Sequence, residues 1–270
     1  MTVPHDSQPR LRTLVRGRIA AALNGGSDRL VRLGGQGKRP IVFVGAAGGG
    51  VAMYDALAGA LGDTHCVFAA PLPQQQQGAS VDTIAGLLAR QVAEAGLSPG
   101  FVLAGWSLAG VFAHAAADRL VTRAVPVAAV VLLDSRIPNL PEGFAVASER
   151  TEAAGMIEAL IARQSAVRGE AEDYRSAGRN LVHHAQAAAH YRPRAIPLPI
   201  GFVRSGTAPS ADPEAWRAAT ACRLDVADVG CGHDVMLRPE WAQPVAEAMR
   251  CVLHRSKIHT RNPEDNQHVG

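Results

Sequence analysis

The segment Phe101-Val102-Leu103-Ala104-Gly105-Trp106-Ser107-Leu108-Ala109-Gly110 runs from apolar, strand-forming residues through a serine into a helix-forming stretch. A serine at a sharp strand-to-helix turn stands exposed at the edge of a sheet in a strained backbone conformation, so its neighbours two residues away must be small. Gly105 and Ala109 meet that demand. Such a turn usually carries Gly where this chain has Ala109; the requirement is steric, one extra methyl group is compatible with it, and Gly110 follows directly. The chemistry this arrangement serves is acyl transfer through an ester of the serine.

A serine hydroxyl is a poor nucleophile until a base takes its proton, and the base is expected late in the chain, at the same sheet edge. His233 fits, in Gly230-Cys231-Gly232-His233-Asp234 after a strand pattern, with two glycines that permit a tight loop. His183, His184 and His190 fall in a long helical pattern and His114 falls on the helix after Ser107, positions that suit packing or surface roles better. An imidazole also needs a carboxylate to orient it. Asp134 ends the strand pattern after that helix, on the edge where Ser107 lies; Asp212, one strand later, is the rival, and Asp234 adjoins His233 too closely to reach its ring.

Negative charge developing on the attacked carbonyl requires backbone N–H donors, each worth roughly 3 kcal/mol. Leu108, directly after the serine, supplies one; the second is expected from Val44-Gly45-Ala46-Ala47-Gly48-Gly49-Gly50, with Ala46 first and Ala47 next. This glycine-rich run lacks the Lys-Ser/Thr ending and the full G-x-G-x-x-G spacing of phosphate loops, so it does not read as a nucleotide site.

These residues must be positioned by a scaffold. Short β-branched runs at 41–45, 66–69, 101–104, 127–133, 200–204 and 223–229 alternate with helical patterns at 51–61, 81–95, 108–120 and 241–253. That alternation predicts an α/β fold with a mostly parallel sheet and helices on both faces. Residues 138–197 break it with two helical patterns, 144–167 and 170–191, and no strand between them, which reads as a helical lid inserted over the sheet or as a structural hairpin.

In this order and spacing, GWSLAG, LLDSRIP and GCGHDVML are similar to the thioesterase domains that end polyketide and nonribosomal peptide synthetases, over roughly residues 29–254. The glycine-rich loop resembles that family's H-P-x-G-G or P-P-x-x-G segment. The resemblance implies an α/β-hydrolase fold with Ser107 as nucleophile, His233 as base and Asp134 as acid. It also implies a substrate chain carried on the phosphopantetheine of an acyl or peptidyl carrier protein and released by hydrolysis or macrocyclisation. No metal or organic cofactor is implied. Stand-alone editing thioesterases of the superfamily more often carry the acid one strand later, so Asp134 favours the chain-terminating type. A stand-alone editing thioesterase or carboxylesterase with the same triad and a catalytically silent binding module are the alternatives.

Composition agrees with one globular domain: 270 residues, 47% hydrophobic and 19% charged. A net charge of +3 gives no field to draw in nucleic acid. No run is apolar enough to span a membrane, and no signal peptide pattern opens the chain, so a cytoplasmic protein is expected. The four cysteines include no C-x-x-C pair and suit reduced, packed thiols; Cys231 lies near His233, but a zinc site needs further ligands that the local sequence does not offer. Residues 1–28 hold a basic amphipathic helix, with Leu11, Leu14, Val15, Ile19, Ala22 and Leu23 on one face. It suits packing on its own domain, a homodimer contact or a carrier-protein contact. Residues 34–37 read as a flexible approach to the first strand, 74–77 as a solvated loop, and 255–270 as a polar, disordered tail.

Overall fold

A computed structural model describes residues 29–47, 50–73, 79–137, 171–206 and 211–256, and the side chains of 171–179 are not among what it describes. The expected N-terminal helix, the first helical pattern of the 138–197 insertion, the glutamine run at 74–77 and the tail from 257 onward therefore lie outside the described residues.

Seven strands form one sheet: β1 (Val31–Gly34), β2 (Arg39–Val44), β3 (His65–Ala70), β4 (Phe101–Trp106), β5 (Val127–Leu133), β6 (Ile200–Ser205) and β7 (Leu224–Val229). Their spatial order is β1-β3-β2-β4-β5-β6-β7, and every pairing is parallel except that of β1 with β3. The central strands are buried on both faces, which is why they read as unbroken apolar runs. Five helices are described: α1 (Asp55–Leu61), α2 (Val81–Glu94), α3 (Ala109–Thr122), α4 (Ala171–Ala188) and α5 (Ala242–Arg255). Among the described residues, no helix is long and apolar enough to cross a membrane.

Each covering helix owes its seat to a stripe of apolar residues. In α2, Val81, Ile84, Ala85, Leu88, Ala89 and Val92 recur at helical spacing and are buried, and the Ser80 side chain caps the helix by accepting from the Thr83 amide at 3.2 Å. α2 and α3 pack on one face of the sheet, in a core with Leu103, Val130, Leu132 and Phe202. On the opposite face, Leu57 and Leu61 of α1 and Val245, Met249 and Val252 of α5 pack on Ile41, Phe43, Val131 and Val203. Every residue of α3 from Ala109 to Ala117 is buried, and the small ones among them, Ala109, Gly110, Ala113 and Ala115 to Ala117, let the helix sit close to its neighbours.

Two expectations need correction. Residues 34–37 are an ordered turn: β1, too short and too polar to stand out as a strand, lies on the edge of β3, and the Gln36 amide donates to the Gly62 carbonyl at 2.9 Å. Gly35 takes a left-handed φ of +79°, and a Cβ on Gly37 would overlap the backbone of Thr64 and His65, so these glycines serve close approach. The C-terminal tail begins later than 255, because Arg255 ends α5 and donates to the Val226 carbonyl at 3.2 Å while Ser256 donates to Asp225 at 2.7 Å. A 3₁₀ turn at Pro213–Ala219, which no sequence pattern announced, buries Trp216.

The Gly37 contact is testable. Gly37→Ala should lower stability by about 1–3 kcal/mol, the usual range for forced overpacking, read as a lower urea midpoint by circular dichroism. An unchanged midpoint would show that the turn has room for a side chain.

Candidate active site

β4 delivers Ser107 to the carboxyl edge of the sheet in a left-handed conformation, φ +54°. That backbone costs a non-glycine residue about 1–3 kcal/mol and persists only where its surroundings enforce it. Two contacts enforce it here. The Ser107 amide continues the parallel ladder by donating to Leu133 at 2.9 Å, and α3 starts so close to β4 that a Cβ on Gly105 would lie 2.5 Å from backbone atoms of Ala109. Ala109 itself is fully buried without displacing the turn. The glycine that the turn does require on the helix side is Gly110, where a Cβ would overlap Ser135 Oγ.

Asp134 leaves β5 in the same way, with φ +46° and its amide donating to Val203 at 2.8 Å. Its carboxylate is inaccessible to solvent. Oδ1 accepts from the Ser205 amide at 3.0 Å and the Ala211 amide at 3.2 Å, and Oδ2 meets His233 Nδ1 at 2.7 Å. Burial opposes ionisation, but the bonds from His233 and from these amides outweigh it and bring the carboxyl down to about 2 from an ordinary 3.8. The rival, Asp212, is exposed and caps the 3₁₀ turn by accepting from the Glu214 amide at 2.9 Å, so its loop serves the site only through the neighbouring Ala211 amide. Asp234 is also exposed.

His233 stands on the loop after β7, its Nε2 3.0 Å from Ser107 Oγ. Bound to Asp134 through Nδ1, the ring carries its proton there when neutral and offers Nε2 to the hydroxyl. The Trp106 indole stacks on the imidazole, with centroids 4.9 Å apart and planes 25° from parallel. The glycines before His233 are not what shapes this loop: Gly232 has an ordinary extended backbone, and a Cβ on Gly230 would meet nothing within 4 Å. Three residues from three different strand ends thus form one hydrogen-bonded chain, the arrangement that turns a serine hydroxyl into an attacking group.

Leu108, directly after Ser107, is the N-cap residue of α3, at the helix end where the first amides have no partner within the helix. Ala46 does not meet its expectation in this conformation, because its N–H donates to the Gly50 carbonyl at 2.9 Å. The other histidines are elsewhere: His114 and His184 are buried, with His114 bonded to Tyr191 and Ala219 and His184 to Pro73, and His190 is exposed. Cys231 is a buried thiol raised by burial, and among the described residues no three His, Cys, Asp or Glu side chains cluster so as to hold a metal ion. Sequence reasoning missed Trp106 beneath the imidazole, the Ser205 and Ala211 amides, and Trp216, whose indole donates to the Ser135 carbonyl at 2.8 Å.

The model of the thioesterase domain family matches residues 39–249, most of the chain. The chain belongs to the thioesterase domain family. No curated protein matches the sequence significantly. Among solved structures, this thioesterase domain is similar to the thioesterase domain of NocB from the nocardicin cluster: TM-score 0.65, 20% identity, covering 84% of this chain and 100% of that one. It is similar also to the Vlm2 thioesterase domain bound with a dodecadepsipeptide, with TM-score 0.66, 22% identity and coverage of 87% and 100%. A third likeness is to the four-domain nonribosomal peptide synthetase AB3403, with TM-score 0.68 and 16% identity over 82% of this chain and 20% of that one. At such identities these likenesses establish the fold, which is that of α/β-hydrolase thioesterase domains.

The depressed Asp134 carboxyl has a measurable signature. A carboxylate whose folded-state value lies below its unfolded one stabilises the fold above the unfolded value, and that stabilisation is lost as pH falls through the folded value. The shift from 3.8 to about 2 corresponds to roughly 2 kcal/mol. Urea midpoints of the wild type and Asp134→Asn should therefore differ by a constant gap above about pH 4 and converge as pH falls toward about 2. A gap that persists unchanged through that window would show that the carboxyl is not held ionised by these bonds.

Proposed function

We propose that this thioesterase domain releases an acyl or peptidyl chain from the phosphopantetheine thioester of a carrier protein through an acyl-Ser107 intermediate. The observation that carries the reading is the hydrogen-bonded chain Ser107 Oγ, His233 Nε2, His233 Nδ1 and Asp134 Oδ2 at the carboxyl edge of the sheet. In the first half-reaction Ser107 Oγ bonds to the thioester carbonyl carbon as His233 Nε2 takes its proton. The C–S bond then breaks, and the departing thiolate receives that proton from His233 as it leaves. In the second half His233 takes a proton from water, or from a hydroxyl or amine of the chain itself, as that oxygen or nitrogen bonds to the acyl carbon; the bond from that carbon to Ser107 Oγ then breaks and Oγ recovers the proton from His233, releasing an acid or a ring.

Leu108 N–H is one oxyanion donor, and the Gly50 contact to Ala46 moves the second assignment to Ala47. Asp134 neutralises the imidazolium formed in each half without accepting its proton, which its low affinity for protons supports. Peptide chains are the favoured substrate class: the Vlm2 domain is seen with a dodecadepsipeptide, AB3403 is a nonribosomal peptide synthetase, and NocB was captured covalently with a fluorophosphonate nocardicin G analogue. A place in antibiotic biosynthesis and in the cytoplasm belongs to the same proposal.

The test is intact mass after incubation with a fluorophosphonate and with peptidyl or acyl thioesters of N-acetylcysteamine. The wild type should gain one adduct on Ser107, Ser107→Ala none, and His233→Ala should lose roughly four orders of magnitude in labelling rate. A wild-type protein that takes no adduct, or takes it at another residue, would overturn the reading. The released product, free acid or dehydrated ring, distinguishes the two second nucleophiles.

A further inference from the structure

Ser107 follows β4 beside the point where the chain reverses its direction across the sheet: from β2 it goes to β3 on one side and then to β4 on the other. The β2–β4 register ends at Phe43 opposite Ala104. Past that register the Val44 carbonyl and the Trp106 amide are not part of the β2–β4 ladder, and both are backbone groups that need partners where water is excluded. The Tyr54 hydroxyl supplies both. It donates to Val44 O at 2.9 Å and accepts from Trp106 N at 3.3 Å.

Nothing about this contact is loose. Tyr54 is fully buried, its ring stacks on Phe43 with centroids 4.6 Å apart, and its backbone closes the 3₁₀ turn Ala52–Tyr54 by donating to Val51. Burial pushes the phenol well above its ordinary value, so the oxygen keeps its proton and can donate and accept together. What it joins is functional on each side. Val44 leads into Gly45, Ala46 and Ala47, the loop that offers the second oxyanion donor. Trp106 precedes Ser107 directly, and its indole supports the His233 ring.

We infer that Tyr54 is a positioning residue for the reaction, its hydroxyl setting the spacing between the oxyanion loop and the Ser107 elbow across the opened strands. The inference rests on the acyl-Ser107 reading above. Removing the hydroxyl keeps every triad side chain but frees the two strand ends to drift apart, and small misplacements at a reacting centre cost up to about a hundredfold in rate.

Tyr54→Phe, assayed with a peptidyl thioester and with rates divided by the concentration of sites titrated with fluorophosphonate, should lose roughly ten- to a hundredfold in kcat with KM changed less than about twofold. Replacing Tyr54 by 4-aminophenylalanine, which restores a donor and acceptor at the same position, should recover most of that loss. Phe43→Leu removes the stacking partner but keeps the hydroxyl; it should lower the melting temperature and leave kcat near wild type. Tyr54→Phe with wild-type kcat, a loss of kcat in Phe43→Leu equal to that in Tyr54→Phe, or a loss that 4-aminophenylalanine does not repair would each overturn the inference. Absence of turnover and of labelling in the wild type would instead strike the acyl-enzyme reading itself.

Discussion

The site depends on a backbone held where an L-residue does not rest willingly. Ser107 at φ +54° lifts its hydroxyl out of the sheet, and the amide bond to Leu133 together with the close seat of α3 on β4, with nothing larger than hydrogen at position 105, keeps it there. That seat in turn requires α3 to be lined with small residues and Gly110 to pass Ser135 at contact distance. The helix interior looks like ordinary alanine-rich packing, yet its smallness is what allows the strained turn to exist. The core and the reactive residue are therefore one mechanical unit, and enlarging the first would relax the second.

The same device recurs one strand over. Asp134 also leaves its strand left-handed, and each of these two residues uses its amide to extend a parallel ladder by one rung, Ser107 onto β5 and Asp134 onto β6. The ladders thus fix the heights of the two side chains relative to one another. His233, from the loop after β7, then needs only to reach between them. This explains why the acid can be so well satisfied: one oxygen is occupied by two backbone amides, leaving the other aimed at the imidazole. A carboxylate with freedom to turn would orient the ring poorly.

Ser107 and Asp134 were legible because each stands at the end of a long apolar run, and such runs announce buried parallel strands whatever else the chain does; His233 was legible from its place on the loop after the last strand pattern. Pattern favoured Asp134 with Asp212 as rival; in the structure Asp134 meets the His233 ring, while Asp212 is held outside by accepting from the Glu214 amide. β1 escaped notice because Val31–Gly34 is four residues long and half-exposed, a strand only by virtue of the β3 edge beside it. Glycine carried an ambiguity of its own. Gly34 to Gly37 suggested looseness where two of them serve tight contact, and Gly230 and Gly232 suggested a conformational need where none exists. Ala46 illustrates a further limit, since which amide of a loop is free depends on which carbonyl folds back upon it.

The histidines show why placement decides chemistry more than residue type does. His114 and His184 are as buried as any core residue, and burial lowers both, His184 to about 4. Each is neutral at ordinary pH and acts as a two-ended connector. His114 on α3 joins Tyr191, just beyond α4, to the Ala219 carbonyl at the end of the 3₁₀ turn. His184 on α4 reaches the Pro73 carbonyl and lies edge-on to Phe112 of α3. The helix that begins at the serine is thereby tied to the C-terminal part of the inserted region and to the turn whose neighbouring Ala211 amide holds Asp134. His233 differs in having a carboxylate on one nitrogen, a hydroxyl on the other and a face partly open to solvent. An imidazole held between a backbone carbonyl and an aromatic side chain ties structure together; one between an acid and an alcohol can move a proton.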